Sequence, residues 1–365
     1  MRFLHLWSGN LFGGVERMLL TLPRYSPDGE HHVGLSFRGR LSQQLESQGT
    51  PCHQLGEVRL RRPWSIAASR RRLRALLVRI HYDAVVVHAY WPHLVWTPEL
   101  LKLRAPWTYF QHDLSRGNYW LESLASLHAP RAFIANSHAT EHSVIANLFK
   151  GTPGHVVYYP VEAPAPSSAE RQDLRGPLGV APGQILLLQA SRFEKWKGHE
   201  VLIEALALLR DSPQWACWIA GSPQRSGEHE YVRTLRSRVQ RLRLGERVKF
   251  VGHTDAIGAL FKAADALVQI NTVPEPFGIV FVEAMYAGLP IVSAALGGAL
   301  EVVDASCGLL VPPTPVEAAN ALSRLLSDAD LRARLGSNGP ERARQLCEPA
   351  RQARRFEEAV MRSLA

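Results

Sequence analysis

Residues 185–210 have the sequence ILLLQASRFEKWKGHEVLIEALALLR, in which an apolar run, a short polar loop and a helical pattern follow one another. The apolar run Ile185–Gln189 predicts a buried strand, and the periodic run His199–Arg210 predicts a helix. A strand followed by a helix is one half of a βαβ unit, whose strands form a parallel sheet. This stretch therefore predicts a parallel α/β fold.

The same alternation of strands and helices continues on both sides of this stretch. It is interrupted at residues 160–182, where Ala, Pro, Ser, Gly and charged residues predominate, as is typical of a linker. We therefore expect an α/β protein with two doubly wound, Rossmann-like parallel-sheet domains, at residues 1–162 and 184–348, joined by a linker at residues 163–183. The pattern leaves open which domain the C-terminal helix, at about 349–365, packs against. The predicted strands are Phe3–Trp7, His32–Phe37, Ala84–His88, Thr108–Gln111, Ala132–Asn136, His155–Tyr159, Ile185–Gln189, Ala216–Ala220, Val248–Val251, Ala266–Ile270, Ile291–Ala294 and Gly308–Val311.

The composition is that of a globular protein, with 46% hydrophobic and 21% charged residues over 365 positions, a length that favours two domains. No apolar run approaches the roughly 18 residues that cross a bilayer, and the N-terminal residues predict a buried strand rather than a signal peptide. The sequence therefore predicts a cytoplasmic protein. The four cysteines are scattered without metal-ligand spacing, so we expect buried thiols and no metal site.

A net charge of +9 is the unusual feature of the composition, and much of it lies in the segment Arg59–Arg79. Leucines interleave with the arginines at helical spacing, which predicts an amphipathic basic helix. Three interpretations remain open: a solvated helix face, a peripheral contact with anionic lipid at the inner face of a membrane, and nucleic-acid binding. Nucleic acid is the least favoured, because no recognition motif accompanies the basic segment.

Three clusters follow predicted strands, which is where ligands bind in doubly wound sheets. Gly13 and Gly14 open a helix after the first strand, so that their N–H groups suit an anion; a tight turn is the alternative explanation. Arg192 and Lys197 flank the loop within residues 185–210, next to a helix start, and two cations there suit a diphosphate. The alternative for this second cluster is a solvated basic loop.

The third cluster is Pro274-Glu-Pro-Phe-Gly-Ile-Val-Phe-Val-Glu283. Pro276 suits the first turn of a helix, and Gly278 leaves the N–H groups of that turn open to a ligand. Glu283 should follow about two turns after Glu275, so one ligand could touch the helix start and a carboxylate together. A nucleotide-sugar has both the hydroxyls and the negative group that this arrangement suits. The alternative is a capped helix with one surface acid and one half-buried acid.

The order of these clusters, Gly-Gly-x-Glu, Arg-x4-Lys-Gly and Glu-x7-Glu, resembles the glycogen synthase-like glycosyltransferases, the large retaining family 4 with the GT-B fold. The resemblance covers nearly the whole chain and is most specific from Ser191 to Pro312. It implies two Rossmann-like domains that face each other across a cleft, with an N-terminal acceptor domain and a C-terminal donor domain. It also implies transfer of a hexose-type sugar from a nucleoside-diphosphate sugar, most typically a UDP-sugar, to a glycan, a lipid-linked saccharide or a small acceptor. No cofactor or metal is implied.

The resemblance also implies roles for individual residues. Arg192 and Lys197 would neutralise the leaving diphosphate, Glu275 would hold the donor sugar, and Glu283 would accept hydrogen bonds from the ribose. His112, at the end of a predicted strand, matches the histidine that the family places near the donor sugar. The other implied donor-binding residues are Gly13, Gly14, Gly198, Phe250, Val251, Gly252, Pro276, Phe277, Gly278, Ile279 and Val280.

Two alternatives to a transferase share this architecture. A nucleotide-sugar 2-epimerase would need further acid and base side chains around the donor sugar, and the sequence does not identify them. A non-catalytic nucleotide-sugar-binding protein is disfavoured because every residue of the motif is present. The sequence does not identify the acceptor.

Overall fold

The protein is described by a computed structural model that covers residues 1–212, 214–254 and 256–365. The chain divides into two compact units: unit 1, formed by Met1–Glu162 and Cys347–Ala365, and unit 2, formed by Ala163–Leu346. The strands are β1 Arg2–Trp7, β2 Glu30–Leu35, β3 Cys52–Gln54, β4 Ala84–His88, β5 Trp107–Gln111, β6 Phe133–Ala135, β7 Gly154–Val156, β8 Ile185–Ala190, β9 Trp215–Ala220, β10 Val248–Gly252, β11 Ala266–Gln269, β12 Ile291–Ala294 and β13 Gly308–Val311. The helices are α1 Gly14–Tyr25, α2 Arg40–Ser47, α3 Pro63–Arg79, α4 Tyr90–Leu103, α5 Trp120–Ala125, α6 His138–Asn147, α7 Arg171–Arg175, α8 His199–Leu208, α9 Ser226–Arg241, α10 Ile257–Ala263, α11 Ile279–Tyr286, α12 Ala299–Val302, α13 Pro315–Ser327, α14 Ala329–Cys347 and α15 Pro349–Leu364.

Unit 1 contains a seven-stranded sheet in the order β3-β2-β1-β4-β5-β6-β7, with every neighbouring pair parallel. The chain winds outward from β1 in one direction and from β4 in the other, so the switch in strand order lies between these two strands. Leu4 and Leu6 of β1 and Val85 and Val87 of β4 are fully buried in the core that α3 and α4 cover. The C-terminal helix α15 packs against β4, β5 and β6 of this unit.

Unit 2 contains a six-stranded sheet in the order β10-β9-β8-β11-β12-β13, again with parallel pairs throughout. Its switch in strand order lies between β8 and β11, where the loops after these two central strands diverge to opposite sides. Ligands of doubly wound sheets bind at such a point. The α/β class and the two doubly wound sheets predicted from the sequence are confirmed.

Some local expectations differ from the structure. The edge strand β3 has three half-buried residues and was not predicted, because it carries no apolar run. Residues 163–183, predicted to be a linker, contain α7, which packs against α10. The helix of the third cluster begins at Ile279, so the expectation that Pro276 occupies its first turn is wrong. In the part of the chain that the structure describes, no helix is long and apolar enough to span a membrane.

Candidate functional site

The loop after β8 brings Lys197 to the switch point of unit 2. Residues Lys195–Lys197 form a single 3-10 turn, and α8 begins at His199. Between them, Gly198 has a φ of +71°, which only glycine adopts without strain, and a Cβ there would collide with the main-chain oxygen of Ile270. The turn can therefore lie directly against the end of β11.

Lys197 donates to Glu275, the first glutamate of the third cluster. Lys197 Nζ lies 2.7 Å from Glu275 Oε2, and the side chains are only 11% and 9% exposed. Two amides donate to the same oxygen, Asn271 Nδ2 at 2.5 Å and Gln269 Nε2 at 3.3 Å. The ammonium also lies 3.9 Å from the centre of the Trp196 ring. A buried carboxylate is costly unless it is paired, and here three donors converge on one of its oxygens.

Gln269 and Asn271 are therefore functional candidates that the sequence reasoning missed. Both are buried; Gln269 ends the apolar strand β11 and Asn271 follows it. A polar amide at the end of an apolar strand is the sequence signal that could have identified them. The side-chain oxygens of Gln269 and Asn271 have no hydrogen-bond partner among the described residues. Buried amide oxygens without a partner are uncommon, and they mark this pocket as one that a polar ligand could complete.

Arg192 lies on the more exposed side of the same loop. Its Nη2 atom is 3.0 Å from Glu194 Oε2, and Arg225 Nη1 is 3.9 Å from Glu194 Oε1. Arg192 keeps 35% of its side-chain surface exposed, so a further anion can reach the guanidinium. Glu194 and Arg225 were not predicted to take part, although Glu194 lies within the same loop.

His199, the first residue of α8, packs against the loop after β8. Its Nε2 atom lies 3.2 Å from Ser191 Oγ, and its ring stacks on that of Phe193 with centroids 5.1 Å apart. Burial, and secondly the charge of Lys197, lower the pKa of His199 to about 3, so the ring is neutral near pH 7. Phe193 stacks in turn with Phe250 of β10, at 6.2 Å. The predicted residues Val251 and Gly252 continue β10 beyond this ring, at the same edge of the sheet.

The third cluster combines an extended segment with a helix start. The main-chain oxygen of Glu275 accepts from Gly298 N at 2.6 Å, which ties this segment to the loop after β12. Gly278, at φ +94°, precedes α11, and a Cβ there would collide with the ring of Phe281. Glu283 is buried on the second turn of α11. Phe277 is also buried, whereas Pro276, Ile279 and Val280 are half-buried.

Gly13 and Gly14 lie at the start of α1 in unit 1. The N–H of Gly13 donates to Glu16 Oε2 at 2.8 Å, and the other oxygen of this buried carboxylate accepts from Trp7 Nε1 at 2.7 Å. The expectation of a bare N–H at Gly13 is therefore wrong, because Glu16 already caps this group. Glu16 is the functional candidate that the Gly-Gly-x-Glu pattern contained but that the sequence reasoning did not use.

His112 follows β5 at the carboxyl edge of the unit 1 sheet and is 4% exposed. Its Nε2 atom lies 2.8 Å from His88 Nδ1, and its Nδ1 atom lies 2.7 Å from the hydroxyl of Tyr159. Burial lowers the pKa of His112 to about 3, so the ring is neutral. Both ring nitrogens are thus already hydrogen-bonded within unit 1. Over the described ranges, no group of His, Cys, Asp or Glu is arranged to hold a metal ion.

Models of two protein families match the chain. The family described as Glycosyltransferase Family 4 matches residues 12–163, and the family described as Glycosyl transferases group 1 matches residues 170–342. The three clusters lie within these two ranges.

Curated relatives match a smaller part of the chain. D-inositol 3-phosphate glycosyltransferase of Jonesia denitrificans is 33% identical over 228 residues, which are 59% of this chain and 53% of the relative. The protein of the same name from Stackebrandtia nassauensis is 30% identical over 225 residues, 58% of this chain and 50% of the relative. The chain therefore spans about half the length of these curated relatives.

A solved structure matches over the full length. Anabaena HepE, crystallised with UDP and glucose, is 28% identical with a TM-score of 0.87, and the match covers 99% of both chains. Its complex with UDP-glucose matches with the same TM-score and identity over 99% of this chain and 100% of the other.

Proposed function

Because the chain belongs to the glycosyltransferases that the Glycosyltransferase Family 4 and Glycosyl transferases group 1 models describe, and its fold is GT-B, we propose that it is a retaining hexosyltransferase. In this proposal the donor is a nucleoside-diphosphate sugar, and the acceptor is a glycan, a lipid-linked saccharide or another small hydroxyl compound. The observation that carries the proposal is the pair Lys197–Glu275 at the switch point of unit 2, with Arg192 on the same loop.

Four charged groups of the candidate site suit different parts of such a donor. Arg192 and Lys197 supply two cations at the end of β8, where a diphosphate would gain charge as the glycosidic bond breaks. Glu275 would accept a hydrogen bond from a sugar hydroxyl, and Glu283 would accept from the ribose. Phe250, Val251 and Gly252 lie at the end of β10, two strands away from β8, and would contact the base.

The reaction needs little acid–base chemistry from the protein. The bond between the anomeric carbon and the diphosphate oxygen breaks, and the acceptor oxygen bonds to that carbon on the same face. The acceptor proton passes to the departing phosphate oxygen, which the two cations stabilise. In unit 1, Gly14 and His112 are proposed donor contacts by family resemblance, and the neutral ring of His112 fits a contact that does not transfer protons.

We propose that the nucleotide of the donor is UDP. HepE was solved with UDP and with UDP-glucose, and it is similar to this chain over its whole length. The epimerase alternative has less support, because the curated relatives reported above are named glycosyltransferases.

A screen of nucleotide-sugars tests this proposal. A donor at 100 times its dissociation constant stabilises a protein by about 2.7 kcal/mol, which corresponds to about 5–10 °C in Tm for a domain of this size. We expect UDP-glucose or another UDP-sugar to raise Tm and to be slowly hydrolysed to UDP without an acceptor. Arg192→Gln should lose most of the shift, whereas Arg233→Gln, in a surface pair with Glu230 on α9, should keep it. If no nucleotide-sugar shifts Tm, the donor site is wrong.

We also propose that the start of the basic segment contacts anionic lipid. The structure divides this segment, because Arg70 donates to the main-chain oxygens of Val95 and Leu94 and Arg74 pairs with Glu99. These two arginines hold α3 on α4 and are not free for lipid. Arg71, Arg72 and Arg79 of α3 are exposed. The start of the segment, before and at the beginning of α3, holds the exposed residues Arg61, Arg62 and Trp64, and Trp64 is 68% exposed.

Vesicle binding tests the lipid contact. Each basic residue near an anionic surface contributes about 1 kcal/mol, so replacing Arg61 and Arg62 by Gln should weaken binding to phosphatidylserine vesicles about 30-fold. Replacing Arg354 and Arg355, an exposed pair on α15, removes the same charge elsewhere and serves as the control. Equal effects of the two double variants would leave only general electrostatic attraction, and no effect of either would make the start of the basic segment a solvated surface.

A further inference from the structure

Four buried histidines form a continuous row across four neighbouring strands of unit 1. The histidine row consists of His31 on β2, His5 on β1, His88 on β4 and His112 directly after β5. Successive rings are joined from Nδ1 to Nε2, at 2.8 Å between His31 and His5, 2.9 Å between His5 and His88, and 2.8 Å between His88 and His112. Ring centroids are 5.0–5.2 Å apart, and neighbouring planes are within 23° of parallel.

The register of the parallel sheet produces this row. The residue paired with His5 in β4 is Val86, and His88 lies two residues further on. The residue paired with His88 in β5 is Phe110, and His112 again lies two residues further on. Because side chains alternate with a period of two, an offset of two per strand keeps every imidazole on one face. The row therefore runs diagonally across the face that α15 covers.

Both ends of the row face groups of defined polarity. At one end the hydroxyl of Tyr159 lies 2.7 Å from His112 Nδ1, and Asn136 Nδ2 donates to that hydroxyl oxygen at 3.2 Å. At the other end His31 Nε2 has no hydrogen-bond partner among the described residues, and the nearest carboxylate oxygen, Glu357 Oε1 on α15, lies 3.8 Å away, an ion-pair distance, and accepts a hydrogen bond from Ser26 Oγ. Glu357 is 5% exposed.

Neutral rings in such a row can point in only two ways. Each neutral imidazole donates from one nitrogen and accepts at the other, so all four carry the proton on Nε2 or all four carry it on Nδ1. Burial lowers the pKa of all four histidines, which keeps the rings neutral near pH 7. The groups at the two ends of the row therefore determine which of the two directions is favoured.

An ionised carboxylate can only accept, so Glu357 favours the proton on His31 Nε2. Each ring then donates toward Glu357, His112 accepts at Nδ1 from the Tyr159 hydroxyl, and Asn136 donates to Tyr159. The opposite direction would point two donors, Asn136 and His112, at the Tyr159 oxygen and would leave a lone pair of His31 facing the carboxylate. Hydrogen bonds that run in one direction also strengthen one another.

We propose that Glu357 is a positioning residue that acts through the histidine row and selects the Nε2–H form of His112. The consequence for catalysis rests on the proposed function: both nitrogens of His112 are engaged in a fixed direction, so its ring contacts the donor sugar as a rigid neutral group and takes no proton from the acceptor. Three rings separate Glu357 from His112, and the three centroid spacings from His31 to His112 add to about 15 Å.

The tautomers of the row can be measured directly in the full-length protein. Long-range ¹H–¹⁵N NMR of ¹⁵N-histidine-labelled protein distinguishes a protonated ring nitrogen from one that accepts. We expect Nε2–H at all four rings in the native protein. Glu357→Gln replaces the charged acceptor by a neutral amide, which can accept through its oxygen or donate to His31 Nε2 through its NH2 group. The preference for Nε2–H should therefore weaken, and His112 should shift toward Nδ1–H.

Glu358→Gln is the matched control, because Glu358 is the exposed neighbour on α15 that pairs with Arg362. It should leave every tautomer as in the native protein. A native row with Nδ1–H at His112, or a His112 form that stays Nε2–H in Glu357→Gln, would overturn the proposal. If Glu357→Gln does not fold, Tyr159→Phe tests the same point from the other end: the row should keep Nε2–H, and a reversed row would overturn the proposal. These spectra need no donor or acceptor, so their outcome is separate from that of the transferase assays.

Discussion

Replacing Lys197 by Met would test how far the Glu275 carboxylate depends on its ion pair. Met keeps the unbranched stem, is one atom shorter than Lys and lacks the ammonium. Glu275 Oε2 therefore loses its donor at 2.7 Å and keeps the amides of Asn271 and Gln269 at 2.5 and 3.3 Å. Removing one partner of a buried pair usually costs about 3–5 kcal/mol. Because two neutral donors remain on the same oxygen, we expect a loss of about 2–3 kcal/mol in the stability of unit 2.

The double variant Lys197→Met/Glu275→Gln separates stability from donor binding. It removes both charges, so most of the stability should return, with a coupling of about 2 kcal/mol between the two sites. Donor binding should not return, because the diphosphate has lost its cation in both variants. A hydrogen bond to a charged group is worth about 1.5–3 kcal/mol, so UDP affinity should fall about 10- to 100-fold in the single and in the double variant.

Stability is best followed by native-state hydrogen exchange at the amides of β8 and β11, because a chain with two units need not unfold in one step. Calorimetric titration measures UDP affinity. Lys249→Met is the control, since Lys249 Nζ donates to the main-chain oxygen of Gly245 at 3.1 Å rather than to a carboxylate. If the stability losses of Lys197→Met and Glu275→Gln add up to the loss of the double variant within about 0.5 kcal/mol, the two side chains do not stabilise each other and the pair is refuted. Native UDP affinity in Lys197→Met would refute its place in the donor site.

Three further outcomes are expected. Gly198→Ala should lower the stability of unit 2 by more than about 1 kcal/mol in thermal unfolding, because the added Cβ would collide with the main chain. Gly151→Ala is the control, since Gly151 has a similar φ but open space around it. An equal loss of stability in Gly151→Ala would mean that the φ strain alone, and not the collision, explains the effect. Between pH 7.5 and 5.5, each buried histidine with a lowered pKa, such as His5 and His88, should cost unit 1 about 1.4 kcal/mol, because the unfolded chain binds a proton near pH 6.5 that the folded ring does not. Hydrogen exchange of β1 measures this loss, and constant protection over that range would contradict it. Glu283→Gln should weaken UDP binding about 10-fold by removing a charged acceptor for the ribose, and unchanged calorimetric affinity would exclude that contact.

Most strands could be predicted because buried parallel strands are continuous apolar runs. All twelve predicted strands overlap an observed strand, and Ala84–His88, Ile291–Ala294 and Gly308–Val311 have the predicted bounds. The exception, β3, lies at the edge of its sheet, where three half-buried residues suffice and leave no pattern. The helix in residues 171–175 was missed for the same reason, since a single turn among Pro, Ser and Gly residues has no periodicity to detect.

The candidate site was only partly predictable. Motif spacing singled out Arg192, Lys197 and Glu275, and their roles stay predictions until donor binding is measured. Spacing did not show that Lys197 and Glu275 are ion-paired, because they are 78 residues apart and meet only where β8 and β11 are neighbours. Gln269 was overlooked because an amide within an apolar strand resembles a core residue until its partner is known.

The α/β class, the two sheets and the positions of the charged loops follow from the amino-acid sequence, because local apolar runs and glycines dictate strands and turns. Which side chains share an oxygen or a proton depends on how the strands are ordered and paired in the folded chain. Four histidines scattered between residues 5 and 112 form one row only because each lies two residues beyond the residue that pairs with the preceding histidine in the neighbouring strand. Strand order and register arise from packing of the whole sheet, and no local stretch of sequence contains that information.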